Sequence, residues 1–186
     1  FHEINTAIRR AISYNPDLKY VLCSLDGSRM NMGAYTDSYE GYPEYLYDKN
    51  PFNDVNYLMN KEVVPKTLAV INYTRAGNKT TSMDEYGRWS QYQTYGKEAV
   101  EAKEAPRQAV AETVSFTSED EKKVRENITE NYLKTALEHP QVTFYFFLPP
   151  YSYYYWEKLI RNGKLERQLE TEALVVSLLL EAPNVH

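Results

Sequence analysis

The chain has few of the residues that usually announce chemistry. Of 186 residues one is cysteine, Cys23, and three are histidine: His2, His139 and His186. A single cysteine excludes an internal disulfide and a cysteine-based zinc site. Cys23 falls in an apolar, strand-like run and reads as a small buried hydrophobe. No His/Asp/Glu cluster has metal-ligand spacing, so no metal and no cofactor is expected. There is no glycine-rich phosphate loop, no dinucleotide fingerprint and no Gly-x-Ser-x-Gly elbow. No apolar run reaches the length of a membrane span; the longest, around Ala173–Leu180, is far too short. The 21 basic residues are scattered among 26 acidic ones, and the net charge is −5, which argues against nucleic acid as a partner. No signal-peptide pattern opens the chain. Phe1 is not a native start, so an N-terminal anchor or signal upstream stays open.

Hydrophobic residues make up 42% and charged residues 25%, as expected for one globular domain with a single core. Tyrosine is the excess: 18 Tyr stand against 6 Phe and 2 Trp. Its flat apolar face and bonding hydroxyl suit a surface that handles polar ligands such as sugars, and equally suit half-buried packing positions.

One unit recurs three times: a helix, a proline-containing turn, then an apolar segment. It covers Ala7–Tyr14, Asn15–Leu18 and Lys19–Leu25, then Val124–Glu138, His139–Val142 and Thr143–Leu148. The third copy is Leu165–Leu180 followed by Glu181–Val185. Proline cannot continue a helix and disfavours helix in the residue before it, so each turn is a sharp stop. Ile4, Ala7, Ile8, Ala11 and Ile12 define the core face expected of the first helix. Val124, Ile128, Tyr132 and Ala136 do so for the second, and Leu165, Leu169, Ala173, Val176 and Leu180 for the third. Ser118 and Glu121 form a candidate capping box. Gly163 is the expected stop of a shorter helix over Tyr154–Asn162.

The runs Tyr20–Cys23 and Thr143–Leu148 are apolar on both faces, as in parallel strands covered on both sides. Helix–strand alternation then predicts an α/β fold: a three-layer α/β/α sandwich around a parallel sheet, flavodoxin-like in class. A third strand is expected to begin near Val185, which implies one domain over residues 1–186 cut at both ends. Residues 27–117 form a long Tyr/Asn-rich insertion, the length expected of a lid or binding surface. Within it, Asn56–Tyr73 reads as one or two helices interrupted at Pro65, and Lys97–Val114 as an Ala/Glu/Lys-rich arm.

Open parallel sheets bind ligands beyond the carboxyl ends of their strands. Ser24–Ser28 and Pro149–Ser152 occupy those ends. Asp26, Tyr151 and Ser152 are therefore candidate substrate-binding residues; the alternatives are a loop-capping carboxylate for Asp26 and a helix N-cap for Ser152. A serine nucleophile needs a base. His139 precedes Pro140 at the opposite end of its strand, so no catalytic residue is assigned within the chain. Sequons stand at Asn72, Asn78 and Asn127.

The segments Asn15–Leu22, Ser24–Asp26, Tyr45–Lys61 and Phe144–Ser152 together resemble a group of bacterial SGNH/GDSL hydrolase-like proteins. The resemblance implies a parallel sheet in three layers, with a catalytic Ser upstream of Phe1 and an Asp-x-x-His block downstream of His186. Leu25 stands where the family's oxyanion Asn would be. Asn53, Asp54 and Tyr57, in the densest block of the resemblance, join the candidate substrate-binding set. The resemblance further implies an ester hydrolase or acyltransferase acting on a carbohydrate or other acylated cell-envelope substrate, extracytoplasmic and anchored through a segment outside this chain. The alternatives are a non-catalytic glycan- or protein-binding domain on the same scaffold and, more remotely, a receiver-like regulatory domain, which would need an acidic cluster that the first strand lacks.

Overall fold

Three proline-containing turns set the chain's course, and each converts a helix into an extended segment. The computed structural model describes residues 1–36, 44–59, 61, 63–77, 94–103 and 111–186. In chain order the elements are α1 (His2–Tyr14), β1 (Tyr20–Ser24), α2 (Val55–Leu58), α3 (Val63–Arg75), α4 (Lys97–Lys103) and α5 (Ser118–Ile128). A π-helical turn, Thr129–Leu133, joins α5 to α6 (Lys134–Glu138). Then come β2 (Thr143–Phe147), α7 (Tyr153–Arg161) and α8 (Leu165–Leu179). Short 3-10 turns lie at Gly27–Arg29 and Glu44–Tyr47.

The chain divides into two compact units: residues 1–42 with 109–186, and residues 43–108. The second is thus narrower than the insertion expected over 27–117. The ends of that stretch belong to the first unit, because the loop after β1 is bonded into its core.

In the first unit β1 and β2 pair in parallel, from Tyr20 opposite Thr143 to Ser24 opposite Phe147. The third copy of the repeat behaves as expected. Val185 forms a parallel bridge to Phe144, on the edge of β2 away from β1. The His186 N–H donates to the Phe144 carbonyl at 2.8 Å, and the Phe146 N–H donates to the His186 carbonyl at 3.0 Å. The fold is α/β in class.

Among the described residues, helices pack on one face of the strands only. Val21, Cys23, Phe144 and Phe146 turn toward the helices, whereas Tyr20, Leu22, Tyr145 and Phe147 are exposed, Leu22 at 74%. The physical reason is topological. The two connections step across the sheet in the same direction, and connections of the usual right hand then lay their helices on one side. Residues of α1, α5, α6 and α8 accordingly share one cluster with the inward strand positions.

Val124, Ile128, Tyr132 and Ala136 are all buried as periodicity requires. The π turn carries the stripe past an extra residue and seats Tyr132 between Phe1 and Phe146, with ring centroids at 5.0 and 5.1 Å. α5 starts with a capping box one residue earlier than Ser118/Glu121. The Thr117 hydroxyl accepts from the Asp120 N–H at 3.2 Å, and the Asp120 carboxylate accepts from the Thr117 N–H at 3.0 Å. Arg167 of α8 then grips the same carboxylate through two nitrogens.

Two helix faces differ from the apolar stripes. In α1 the buried positions are Asn5 and Ile12, while Ile4, Ala7 and Ala11 are exposed. In α8 they are Gln168, Thr171, Val175, Leu178 and Leu179, and Leu169, Val176 and Leu180 face outward. α8 is apolar around much of its girth, so periodicity alone does not choose its inner face. The bonds between Thr171 and Asn31 of the loop after β1 do. Gly163 ends α7 at φ +64, a left-handed conformation that glycine adopts freely.

The second unit holds α2, α3 and α4, and among its described residues α2 and α3 bury no side chain. Pro65 sits in the first turn of α3, where its missing N–H has no helical partner to lose. The break between the two helices therefore precedes it. Only Lys97–Lys103 and 111–114 of the Lys97–Val114 arm are described.

Candidate functional site

Parallel pairing brings the residues that follow β1 and β2 to one edge, and they bond each other there. The Leu25 N–H donates to the Phe147 carbonyl at 2.9 Å, extending the ladder one step. Beyond it the Tyr151 hydroxyl accepts from the Gly27 N–H at 3.0 Å and donates to Asp26 Oδ1 at 3.1 Å. Asp26 Oδ1 also accepts the Ser28 N–H at 2.9 Å and the Ser28 hydroxyl at 2.7 Å. Three donors thus converge on one carboxylate oxygen, and among the described residues Oδ2 receives none. Burial opposes ionisation of Asp26, but the Ser28 and Tyr151 bonds outweigh it and hold the carboxyl below its ordinary value.

A tyrosine pair stands beside this junction. The Tyr151 and Tyr155 rings stack at 4.0 Å and 20°, and Trp156 meets Tyr155 edge-on at 5.3 Å. Serial positions 151 and 155 fall together because Ser152 starts α7 and one helical turn separates its neighbours. Burial, the neighbouring Tyr151 and the carboxylates of Glu172 and Asp26 push the Tyr155 phenol up to about 12. Tyr151 is raised by burial, with Asp26 and Glu172 adding to it.

Gly27 is needed for this approach. A Cβ there would lie 2.6 Å from Gln168 Nε2 and 3.1 Å from the Tyr155 hydroxyl. Gln168 is buried and donates through Nε2 to Glu172 at 2.8 Å.

The loop from Asp26 to Ala34 is held from behind by buried amides. Asn127 Nδ2 donates to the Arg29 and Met30 carbonyls, each at 3.1 Å, and its Oδ1 accepts from Asn131 Nδ2 at 2.8 Å. Asn131 Nδ2 also reaches the Ala34 carbonyl at 2.7 Å. From α8, Thr171 exchanges bonds with Asn31 at 3.2 and 3.4 Å. The site's floor is therefore fixed by the scaffold.

Of the expected site residues, Asp26 and Tyr151 meet directly. Ser152 caps α7 by position, without a side-chain cap bond. Asn53, Asp54 and Tyr57 lie in the second unit. There Asn53 Nδ2 donates to Asp48 at 2.6 Å, Asp54 precedes α2, and Tyr57 lines a shallow groove of about 360 Å³ with Val63, Lys66, Thr67, Val70 and Ile71. Asn127 is 1% exposed, its amide occupied by the loop, so this sequon is closed to modification; Asn78 lies outside the described residues.

Tyr155, Gln168, Glu172 and Asn131 were not singled out by sequence reasoning, and Asn127 was noted only as a sequon. The asparagines did leave a signal: Asn127, Asn131 and Thr135 form an i, i+4 polar stripe immediately beside the apolar one.

Among the described residues no serine at the strand ends bonds a histidine. Ser28 is committed to Asp26. His139 lies in the turn before β2, at the amino edge of the sheet; His186 packs on Tyr145 and His2 on Tyr35. No group of metal-ligating side chains occurs among the described residues, and no helix there is long and apolar enough to cross a membrane. No family model, no curated protein sequence and no solved structure matches the chain.

Proposed function

We propose that the carboxyl edge of the sheet is a carbohydrate-binding site, and that the chain is the substrate-handling part of an SGNH/GDSL-like ester hydrolase or acyltransferase. Its substrate is a carbohydrate or another acylated cell-envelope molecule, and the nucleophile and its base lie outside residues 1–186. The carrying observation is the junction of Asp26, Gly27 and Tyr151 after two parallel strands, flanked by the Tyr151–Tyr155 stack. A carboxylate oxygen that no described residue bonds, a phenol and an aromatic face are the groups that hold a polyhydroxyl ring. The exposed apolar face of Tyr20, Leu22, Tyr145 and Phe147 supports a three-layer sandwich, since it is the face a second helical layer would cover. On this reading the protein works outside the cytoplasm, anchored by a segment beyond this chain.

A non-catalytic glycan- or protein-binding domain is the second reading. It is favoured by the commitment of the Ser28 hydroxyl to the Asp26 carboxylate instead of a histidine. One comparison separates the two: the isolated chain and a longer protein containing it, each assayed on small aryl acetate esters and for glycan binding. The isolated chain is expected to be silent, because losing a nucleophile–base unit costs roughly 10⁶ in rate. Turnover by the isolated chain would refute the placement of the catalytic groups. Silence of both proteins with retained glycan binding would establish the second reading.

A further inference from the structure

α8 carries two apolar faces, and the core takes one. Val175, Leu178 and Leu179 pack inward beside Thr171. Leu169, Ala173, Val176 and Leu180, a row that periodicity marks as a core face, lie outside, with Leu169, Val176 and Leu180 exposed by 48%, 44% and 62%. Steps of four, three and four residues separate them. That is the rhythm by which one helix seats the side chains of another. The row runs roughly 16 Å along the helix axis. At its amino end lies an open pocket of about 190 Å³, lined by Thr113, Ile160, Gly163, Leu165 and Glu166. Leu165 precedes Leu169 by one turn, so pocket and row form a continuous track.

Acidic residues border this track. With about 3.6 residues per turn, Glu166 and Glu170 fall on one side of the row and Glu172 on the other. Arg167 is the one cation of α8, and its guanidinium is held by Asp120 through two nitrogens. No ion pair with a described residue neutralises Glu166 or Glu170. The track is therefore apolar along its middle and negative along its borders. A second copy of the chain would bring its own glutamates and no cation to meet them. An anionic bilayer would be repelled in the same way. The complementary surface is an amphipathic helix with a narrow apolar stripe and basic flanks.

We infer that the outer face of α8 docks a basic amphipathic helix of a partner protein, its apolar stripe lying on the row and its Lys or Arg side chains opposite Glu166 and Glu170. This surface lies on the outer side of α8 and does not depend on the carbohydrate reading.

The test uses the full chain and two designed peptides of about three heptads. Both have Leu at positions a and d; one has Lys at e and g, and its twin has Glu there. Binding is read by NMR shift titration at low salt. The Lys peptide is expected to bind roughly five- to tenfold more tightly than its twin, to shift the outer α8 amides, and to lose that preference as salt rises. Glu170→Lys and, independently, Glu166→Lys should each narrow the preference. Val176→Gln and Leu169→Gln should each weaken both peptides by at least about threefold; all four sites are exposed, and a dispersed NMR spectrum of each variant verifies its fold. Binding of neither peptide, equal binding of both, or binding unmoved by both Gln variants overturns the inference. Sedimentation that shows self-association of the chain, abolished by Val176→Gln, also overturns it and assigns the row to a second copy.

Discussion

Replacing Asn127 by aspartate tests whether the loop carrying the site is held by the scaffold. The change keeps the shape and exchanges one NH₂ for an oxygen. The amide now donates to the Arg29 and Met30 carbonyls and accepts from Asn131. After Asn127→Asp the acceptor function survives, but two carbonyls lose their donor and face a carboxylate. Met30 is fully buried and Asn127 is 1% exposed, so water does not substitute. A buried polar group left unpaired costs about 1–3 kcal/mol. Two carbonyls, one of them on the half-buried Arg29, give about 3 kcal/mol for Asn127→Ala. The buried charge raises the loss for Asn127→Asp to about 4 kcal/mol at neutral pH. The sign with pH is defined. Burial and the facing carbonyls raise the folded-state pKa of the introduced carboxyl above its unfolded value near 3.9. The penalty is therefore fully present above the folded pKa and shrinks as pH falls toward the unfolded one, because the protonated acid can donate to one carbonyl. Urea unfolding of wild type and both variants at pH 7 and pH 5, followed by circular dichroism, measures this. An Asn127→Asp midpoint equal to that of wild type at pH 7, or a deficit that grows in acid, would refute the latch.

Two further outcomes probe the scaffold around the site. The Arg167 guanidinium and the Thr117 donors, working against burial, hold the Asp120 carboxyl well below the usual carboxylate range. That contribution is present above the unfolded value and is lost as pH falls through the folded one, so Asp120→Asn should cost about 2 kcal/mol at pH 7 and little in strong acid; a deficit independent of pH would remove Arg167 from the account. Gly163→Ala forces a left-handed φ of +64 and sets a Cβ 2.1 Å from the Glu112 carbonyl oxygen. A loss of at least about 2 kcal/mol in thermal unfolding is expected, and an unchanged Tm would show that the segment at 111–114 does not pack there.

What was legible in the sequence followed from rules that act locally. Proline stops α1 and α6 where the turns Asn15–Leu18 and His139–Val142 begin, and the same rule located the pairing of Val185 with β2. The edge shared by Asp26 and Tyr151 was legible too, because it needs only two parallel strands. The exposure of Tyr20, Leu22, Tyr145 and Phe147 was not. A run of apolar residues records what a strand tolerates on each face, and it does not record which face this chain itself covers.

The inner faces of α1 and α8 were hidden for a different reason. Periodicity weighs apolar residues alone, whereas Asn5, Gln168 and Thr171 turn inward because a buried polar group with a partner costs little and an unpartnered one costs much. Asn5 finds Thr135 at 2.6 Å, Thr171 finds Asn31, and Gln168 finds Glu172. Thr135 and Asn31 are distant in sequence, so their value appears only once the elements are side by side, whereas Glu172 lies one turn away on α8 itself. The polar stripe Asn127, Asn131 and Thr135 obeys the same logic, and it places the residues that shape the site on the helix behind it instead of on the strand ends that frame it. A loop held by amides from α5 and the π turn can keep Asp26, Gly27 and Ser28 in one arrangement before any ligand arrives, which is the preorganisation that the proposed saccharide site would need.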